Sequence, residues 1–218
     1  MKLYHSARSS AAYRVRIALA YKGLAWESRM LNMQTLQHAG PAYRSVNPAA
    51  LVPSLDIDGQ VLTQSLAIIE YLEETHPQPP LLPEDPFERV YVRAVSQLVA
   101  CEIHPLNNVR ALDFVRKSYG QGEDGIRAWY WHWIADGFSK LESLLQREKR
   151  HGRYCLGDRI SMADCCLVPQ LANARRYACD LAPYPTLVRI DEACREHPAF
   201  IEASPEQQKG EFWKADEN

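Results

Sequence analysis

The segment ARSSAAYRVRIALAYKG, residues 7–23, puts a guanidinium (Arg8) and two hydroxyls (Ser9, Ser10) where a helix should begin. Such groups can do two things. A serine there caps the helix by accepting a bond from one of its free first-turn amides. The same hydroxyl, with the helix dipole and a nearby cation, also stabilises an anion at the helix mouth, a thiolate included. A free cysteinyl thiol ionises near pH ~8.5, and lowering that pKa by about two units takes ~2.7 kcal/mol of preferential anion stabilisation. Gln64-Ser65 repeats the pattern ahead of LAIIEYLEE: Ser65 is expected to cap a helix whose free amides suit a carboxylate. Val52-Pro53 opens a strand that leads into a hairpin. It reads either as a cis proline, which would turn the Val52 main chain outward toward an extended peptide, or as an ordinary edge-strand proline. No cysteine precedes Cys101, so this region holds no thiolate able to attack a disulfide. A thiol acting here belongs to a ligand.

The elements that must position these residues follow from periodicity. Residues 2–5 form a short strand candidate, a helical stripe runs from Ser9 or Ser10 to Gly23, and residues 25–31 read as a second strand. A short helix is expected around residues 42–46. VPSLDIDGQVLTQ then gives two alternating runs joined by Asp58-Gly59, which suits a type I′ hairpin, and Leu66, Ile69 and Leu72 mark a helix ending before Pro77. The order β-α-β-(α)-β-β-α implies a parallel strand pair with a crossover helix, extended by a hairpin. HPQPPLLPEDP holds five prolines in eleven residues and reads as a linker. Beyond it no convincing strand appears. Val92, Val95 and Val99 mark one helix, and Ile126 to Leu145 another, with drift near Gly137. Ser161 and Asp164 stand at capping-box spacing before an apolar run. The expected architecture is an α/β thioredoxin-like N-terminal domain over residues 1–80, a proline-rich linker at 81–86 and an all-α C-terminal helical domain over 87–218, its tail polar and loose from Ser204.

Composition narrows the class. The 218 residues are 46% hydrophobic and 24% charged, as in ordinary globular proteins. A net charge of −2 supplies no basic field for nucleic acid or acidic lipid, and no run reaches membrane-spanning length. The N-terminus lacks the apolar core of a secretory signal, and none of the six cysteines forms a CxxC pair, so reduced thiols and a cytoplasmic location are expected. No metal site is expected.

RSSAAYRVRIAL, NPAALVPSL, QSLAIIEYLEE, GDRISMADCCLVPQLANARRY and DLAPYPTL resemble the zeta class of cytosolic glutathione transferases, from about residue 2 to residue 200. The opening segment and ANARRY are class-specific; Val-Pro and Gln-Ser belong to the wider superfamily. The resemblance implies glutathione as cofactor, a homodimer, and glutathione-dependent cis–trans isomerisation of a small cis-enone diacid such as maleylacetoacetate or maleylpyruvate. By the same resemblance Ser9 activates the thiol with Ser10 close by. His38, Val52 (through its main chain) and Pro53 hold the cysteinyl and glycyl parts, and Gln64 and Ser65 hold the γ-glutamyl end. His104, Asn108 and Arg110 add contacts from the helical domain, and Arg8 and Arg176 bind the substrate's carboxylates. Where the family has Ser-Ser-Cys, this chain has Ser-Ser-Ala, with Ala11 at the cysteine's place.

Each assignment has a plainer rival. Ser9 and Ser10 may be read as caps alone, His104 as a helix-end hydrogen bonder, and Arg175-Arg176 as a solvated pair. The residues themselves assign WYWHW (129–133) to packing, with His132 outward, Cys165 and Cys166 to the core, and Arg14 and Arg16 to fold or dimer. Two other functions fit the resemblance: a conjugating or dehalogenating transferase for small halogenated acids, and a non-catalytic binding module.

Overall fold

The computed structural model describes residues 1–214, which divide into two compact units. Met1–Leu81 and the chain from Glu196 onward make the first, and Leu82–Arg195 the second.

In the first unit β1 (Lys2–His5) pairs in parallel with β2 (Glu27–Met30) and antiparallel with β3 (Ser54–Ile57), which pairs with β4 (Gln60–Thr63). The order β2-β1-β3-β4 is a mixed sheet with the parallel pair the sequence implies. β2 is shorter than the expected 25–31. Asp58 and Gly59 both take positive φ, 51° and 87°, as a type I′ turn requires. Helix α1 (Ser10–Tyr21) crosses between β1 and β2 with Ala12, Val15, Ile17, Ala18 and Leu19 fully buried. It stops as the sequence indicates: Gly23 adopts φ 65° and donates to the Ala20 carbonyl, while the Leu24 amide donates to that of Leu19. α2 (Pro41–Val46) and α3 (Ser65–Thr75) complete the expected order. The ammonium of Lys22, just past α1, donates to Glu73 and to the His76 and Pro79 carbonyls at 2.7, 2.7 and 2.9 Å. Those bonds fasten the end of α3 and the start of the proline-rich segment to α1.

Two inner arginines of α1 serve the fold. Arg16 is 1% exposed and donates to the carbonyls of Ser6, Ala7 and Ala203 at 3.3, 3.0 and 2.9 Å. The Tyr13 hydroxyl donates to the Phe200 carbonyl. These bonds draw α9 (Pro198–Ala203) onto α1, so the last helix belongs to the first unit, although its sequence sits in the run of helices after the linker. The tail expected to be loose is docked as well: Phe212 bridges Met30, and the Trp213 amide donates to the Met30 carbonyl.

In the second unit α4 (Pro86–Gln97) continues through a π-helical turn (Leu98–Ile103) and a 3₁₀ turn (His104–Asn107) into α5 (Val109–Ser118), which periodicity did not reveal. α6 (Glu123–Glu148), α7 (Met162–Arg176) and α8 (Pro185–Arg195) follow. The capping box is present: the Ser161 amide and hydroxyl both donate to Asp164, and Cys155 donates to its other oxygen. Cys165 and Cys166 are fully buried and His132 is exposed, as expected. WYWHW packs but also bonds: Trp129 donates to the Leu106 carbonyl and Trp131 to that of Tyr177. The interruption of the α6 stripe at Gly137 has a steric cause. A Cβ there would lie 2.4 Å from Ile103 Cγ1, so the wide π-turn presses directly on the helix backbone.

Two predictions follow from these contacts. Gly137→Ala should destabilise the protein by about 1–3 kcal/mol in denaturant unfolding, and Ile103→Ala in the same chain should recover part of the loss. His5 supplies the second. Its Nδ1 faces the Arg16 guanidinium at 3.4 Å, which only donates, so Nε2 carries the proton toward Ser28 Oγ at 2.8 Å. Burial, and then the charge of Arg16, lower its pKa from 6.5 to about 3. Below pH 6.5 the unfolded chain binds a proton that the native state refuses, so stability falls with pH. By pH 4.5 this group should remove up to about 2.7 kcal/mol, and His5→Gln should flatten that part of the pH dependence.

Candidate functional site

Ser9 is the N-cap of α1, with extended backbone, and its Oγ accepts from the Ala12 amide at 3.2 Å. With that lone pair engaged, the hydroxyl proton is left to donate, and among the described residues it meets no acceptor. Ser10, the first helical residue, is buried, whereas Ser9 is half-buried and Arg8 exposed. No acidic residue occupies the first turn of α1, so its dipole is not neutralised from within. Arg8 makes no ion pair among the described residues.

The Val52-Pro53 peptide is cis. β3 begins only at Ser54, which pairs with Tyr4 at the far end of β1, so Val52 lies beside the loop that leads into Ser9. Among the described residues the Val52 main chain has no hydrogen bond, which leaves its N–H and C=O for an incoming extended strand. The flanking geometry is fixed from beneath. Tyr43 donates to the Leu51 carbonyl at 2.7 Å and lies 2.8 Å from Ser54 Oγ, and Asn47 donates to the same carbonyl.

At α3 the structure corrects the sequence reading: Ser65 is the first helical residue, not the cap, and Gln64 precedes it with no side-chain cap. Gln64 holds φ 67°, a left-handed conformation costing a non-glycine residue about 1–3 kcal/mol and common at ligand clamps. The Ser65 hydroxyl accepts from Nη1 of buried Arg14 at 3.2 Å. Arginine only donates, so the Ser65 hydroxyl proton is not used in this contact and is left to donate elsewhere. This bond also ties the head of α3 to α1. The sequence reading missed Arg14 as a partner of the site; its only trace was a cation inside an otherwise apolar helix.

His38 sits on a single 3₁₀ turn, Gln37–Ala39. Its Nδ1 is buried without a partner, and burial, then the charge of Arg44, hold its pKa below the usual imidazole value, so the ring is neutral at pH 7. A neutral orphaned nitrogen, an unpaired strand edge and two serine protons left to donate are what a small peptide with carboxylate and thiolate groups requires. The residues fit glutathione.

The second unit carries the other expected residues. His104 opens the 3₁₀ turn, and its Nε2 lies 3.3 Å from Asn108 Nδ2. Asn108 caps α5, accepting from the Arg110 amide at 3.1 Å, and Arg110 itself is exposed. The adjacent arginines at the end of α7 part company. Arg175 meets the buried carboxylate of Asp191 at 2.7 Å. Arg176 is exposed and makes no ion pair among the described residues; its guanidinium lies 5.5 Å from the centre of the Tyr177 ring, which stacks on Tyr130. Of the two, Arg175 is committed to an internal carboxylate and Arg176 is not.

A mixed four-stranded sheet with a cis proline and serine-headed helices, followed by a helical unit, defines a glutathione transferase fold. The glutathione S-transferase N-terminal domain family matches residues 3–80. Maleylpyruvate isomerase from Ralstonia sp is 47% identical over 208 residues, 95% of this chain and 98% of the relative. A holo maleylpyruvate isomerase, a bacterial zeta-class glutathione S-transferase, superposes with a TM-score of 0.93 at 47% identity, covering 95% and 98% of the two chains. A maleylacetoacetate isomerase from Methylobacterium extorquens AM1 with bound malonate and glutathione does so at 0.93 and 40%, covering 96% and 98%. The chain belongs to the zeta-class glutathione transferases, the family of the maleylacetoacetate and maleylpyruvate isomerases.

Proposed function

We propose that the protein is a glutathione-dependent cis–trans isomerase acting on maleylacetoacetate or maleylpyruvate, as its relatives' names state for them. The observation that carries this reading is Ser9: a capping hydroxyl whose acceptor side is engaged by Ala12 and whose proton is free for a sulfur anion. Bound glutathione supplies a thiolate that adds to the conjugated cis double bond, permits rotation about the resulting single bond and departs from the trans product.

The chain's own residues make that possible. Ser9, the first-turn amides of α1 and Arg8 favour the thiolate over the thiol, with Ser10 packed behind. The Val52 main chain beside Pro53 pairs with the tripeptide, and neutral His38 donates or accepts one further bond. Gln64 and the Ser65 hydroxyl take the γ-glutamyl carboxylate at the head of α3. His104, Asn108 and Arg110 add to glutathione recognition. Arg8 and Arg176 bind the diacid's carboxylates and stabilise the negative charge that grows on its carbonyl oxygen. Ala11 leaves sulfur chemistry to the ligand alone. Phe87 and Val90, 78% and 64% exposed and one turn apart on α4, are the kind of surface a homodimer covers. That none of the six cysteines forms a disulfide suits a reducing, cytoplasmic setting; no helix among the described residues is long and apolar enough to cross a membrane.

Absorbance assays with each substrate, with and without glutathione, test the reading. Turnover should require glutathione without consuming it, whereas stoichiometric consumption would favour a conjugating transferase. Ser9→Ala should cut turnover about 10²-fold or more, and unchanged turnover would remove Ser9 from the mechanism. Arg176→Ala should raise the KM for the diacid by about tenfold to a hundredfold while leaving that for glutathione near its starting value. An equal rise in both would contradict a substrate role.

A further inference from the structure

Phe212 and Trp213 reach the elements that carry His38 and Val52. The Trp213 amide donates to the Met30 carbonyl at 2.6 Å, extending the edge strand β2 by one parallel bridge at Phe212. From there the Trp213 ring packs edge-on against Tyr4, with ring centres 5.3 Å apart, and Tyr4 packs on Tyr43 at 5.7 Å. Tyr4, Leu31 and Tyr43 form a small buried cluster, against which Val46, Val52 and Trp213 also pack. This is the cluster whose Tyr43 hydroxyl fixes Leu51 and Ser54 on either side of Val52-Pro53.

A second tie runs to the 3₁₀ turn. Gln37 Nε2 donates to the Trp213 carbonyl, while its Oε1 accepts from the Asn32 amide at 2.8 Å and its own amide donates to the Asn32 carbonyl. Gln37 therefore links the tail to the loop after β2, and His38 is the next residue. That loop needs such support: its residues 34–36 are exposed, and Leu36 sits at φ 55°.

We propose that Trp213 and Gln37 are positioning residues for the glutathione site, the C-terminal segment acting as a brace that holds the His38 turn and the Val52 edge in ligand-binding register. The inference rests on the reading of His38 and Val52 as glutathione contacts. Trp213 and Gln37 are not among the residues read as glutathione contacts. They act on geometry, where a displacement of about 1 Å in a supporting shell is enough to spoil recognition.

The test is steady-state kinetics with both substrates varied, together with glutathione titration calorimetry, on the full chain. Trp213→Ala should raise the KM and Kd for glutathione about five- to tenfold, leave the KM for the enone diacid unchanged, and keep kcat at saturating glutathione within about twofold. Trp213→Phe, which retains an edge-on ring, should restore most of the affinity. Gln37→Glu keeps the acceptor for Asn32 but loses the donor to Trp213, and should reproduce the Trp213→Ala phenotype in milder form. His38→Ala separates the two levels of the argument. If it weakens glutathione binding and Trp213→Ala adds nothing to it in the double variant, the brace acts through His38. If His38→Ala weakens binding and Trp213→Ala does not, the brace is wrong while the site reading stands; if His38→Ala has no effect, the site reading of His38 itself fails. Equal losses in both KM values and in melting temperature for Trp213→Ala, without rescue by phenylalanine, would make the contact merely structural and overturn the proposal.

Discussion

The first unit is organised around the burial of one guanidinium. Among the described residues Arg16 has no carboxylate at hydrogen-bonding distance, and its donors are met by backbone carbonyls and by His5 Nδ1 instead. An arginine cannot shed its proton to escape burial, so each unmet donor would be costly. The solution fixes two distant pieces of chain. Ser6 and Ala7, which lead into Arg8 and Ser9, are held at one side, and Ala203 of the last helix at the other. Burial, reinforced by the same charge, keeps His5 neutral at the end of β1. The loop that leads into Ser9 is thereby held by an interior cation as well as by its own turn bond, from the Ser9 amide to the Ser6 carbonyl.

A common device recurs around the site: a donor-only partner occupies one side of a serine hydroxyl. Ala12 occupies the acceptor side of Ser9, and Arg14 that of Ser65. Serine hydroxyls rotate freely in isolation, so each would otherwise divide its time between donating and accepting. With one acceptor position engaged, each hydroxyl still has its proton to donate. Preorganisation of this kind matters because dipoles already aimed at a charge need no reorganisation when it forms.

Support for the site extends well beyond the residues that face the ligand. Tyr43 and Asn47 fix the main chain before Val52, Lys22 anchors the far ends of α1 and α3, and the tail reaches back to the β2 edge. In the helical unit the buried Asp164 and Asp191 do comparable work. Asp164 gathers Ser161 and Cys155 at the head of α7, and Asp191 takes Arg175 at its foot, which leaves Arg176 uncommitted.

Local patterns in the sequence were sufficient for the β-α-β-α-β-β-α order, the Asp58-Gly59 turn, the Gly23 stop and the Ser161–Asp164 cap, because each depends on residues a few positions apart. Glutathione was also legible, but through the resemblance carried by RSSAAYRVRIAL and the other motifs, since Ser9 and Ser10 by themselves read equally well as caps. Tertiary structure alone decided the rest. Alternation and composition leave the Val52-Pro53 isomer open, and it is cis; Ser65 is not a cap, because Gln64 takes the boundary in a left-handed conformation that no propensity signals. The short π-turn escapes periodicity because it breaks the 3.6-residue repeat, whereas α5 keeps that repeat but buries only Leu112 and Val115, too short a stripe to stand out. Nothing in a polar tail announces that Trp213 packs on Tyr4, some two hundred positions earlier. Contacts at such separation arise only once the sheet and α1 have built the surface that receives them, so they are properties of the folded chain and not of any segment within it.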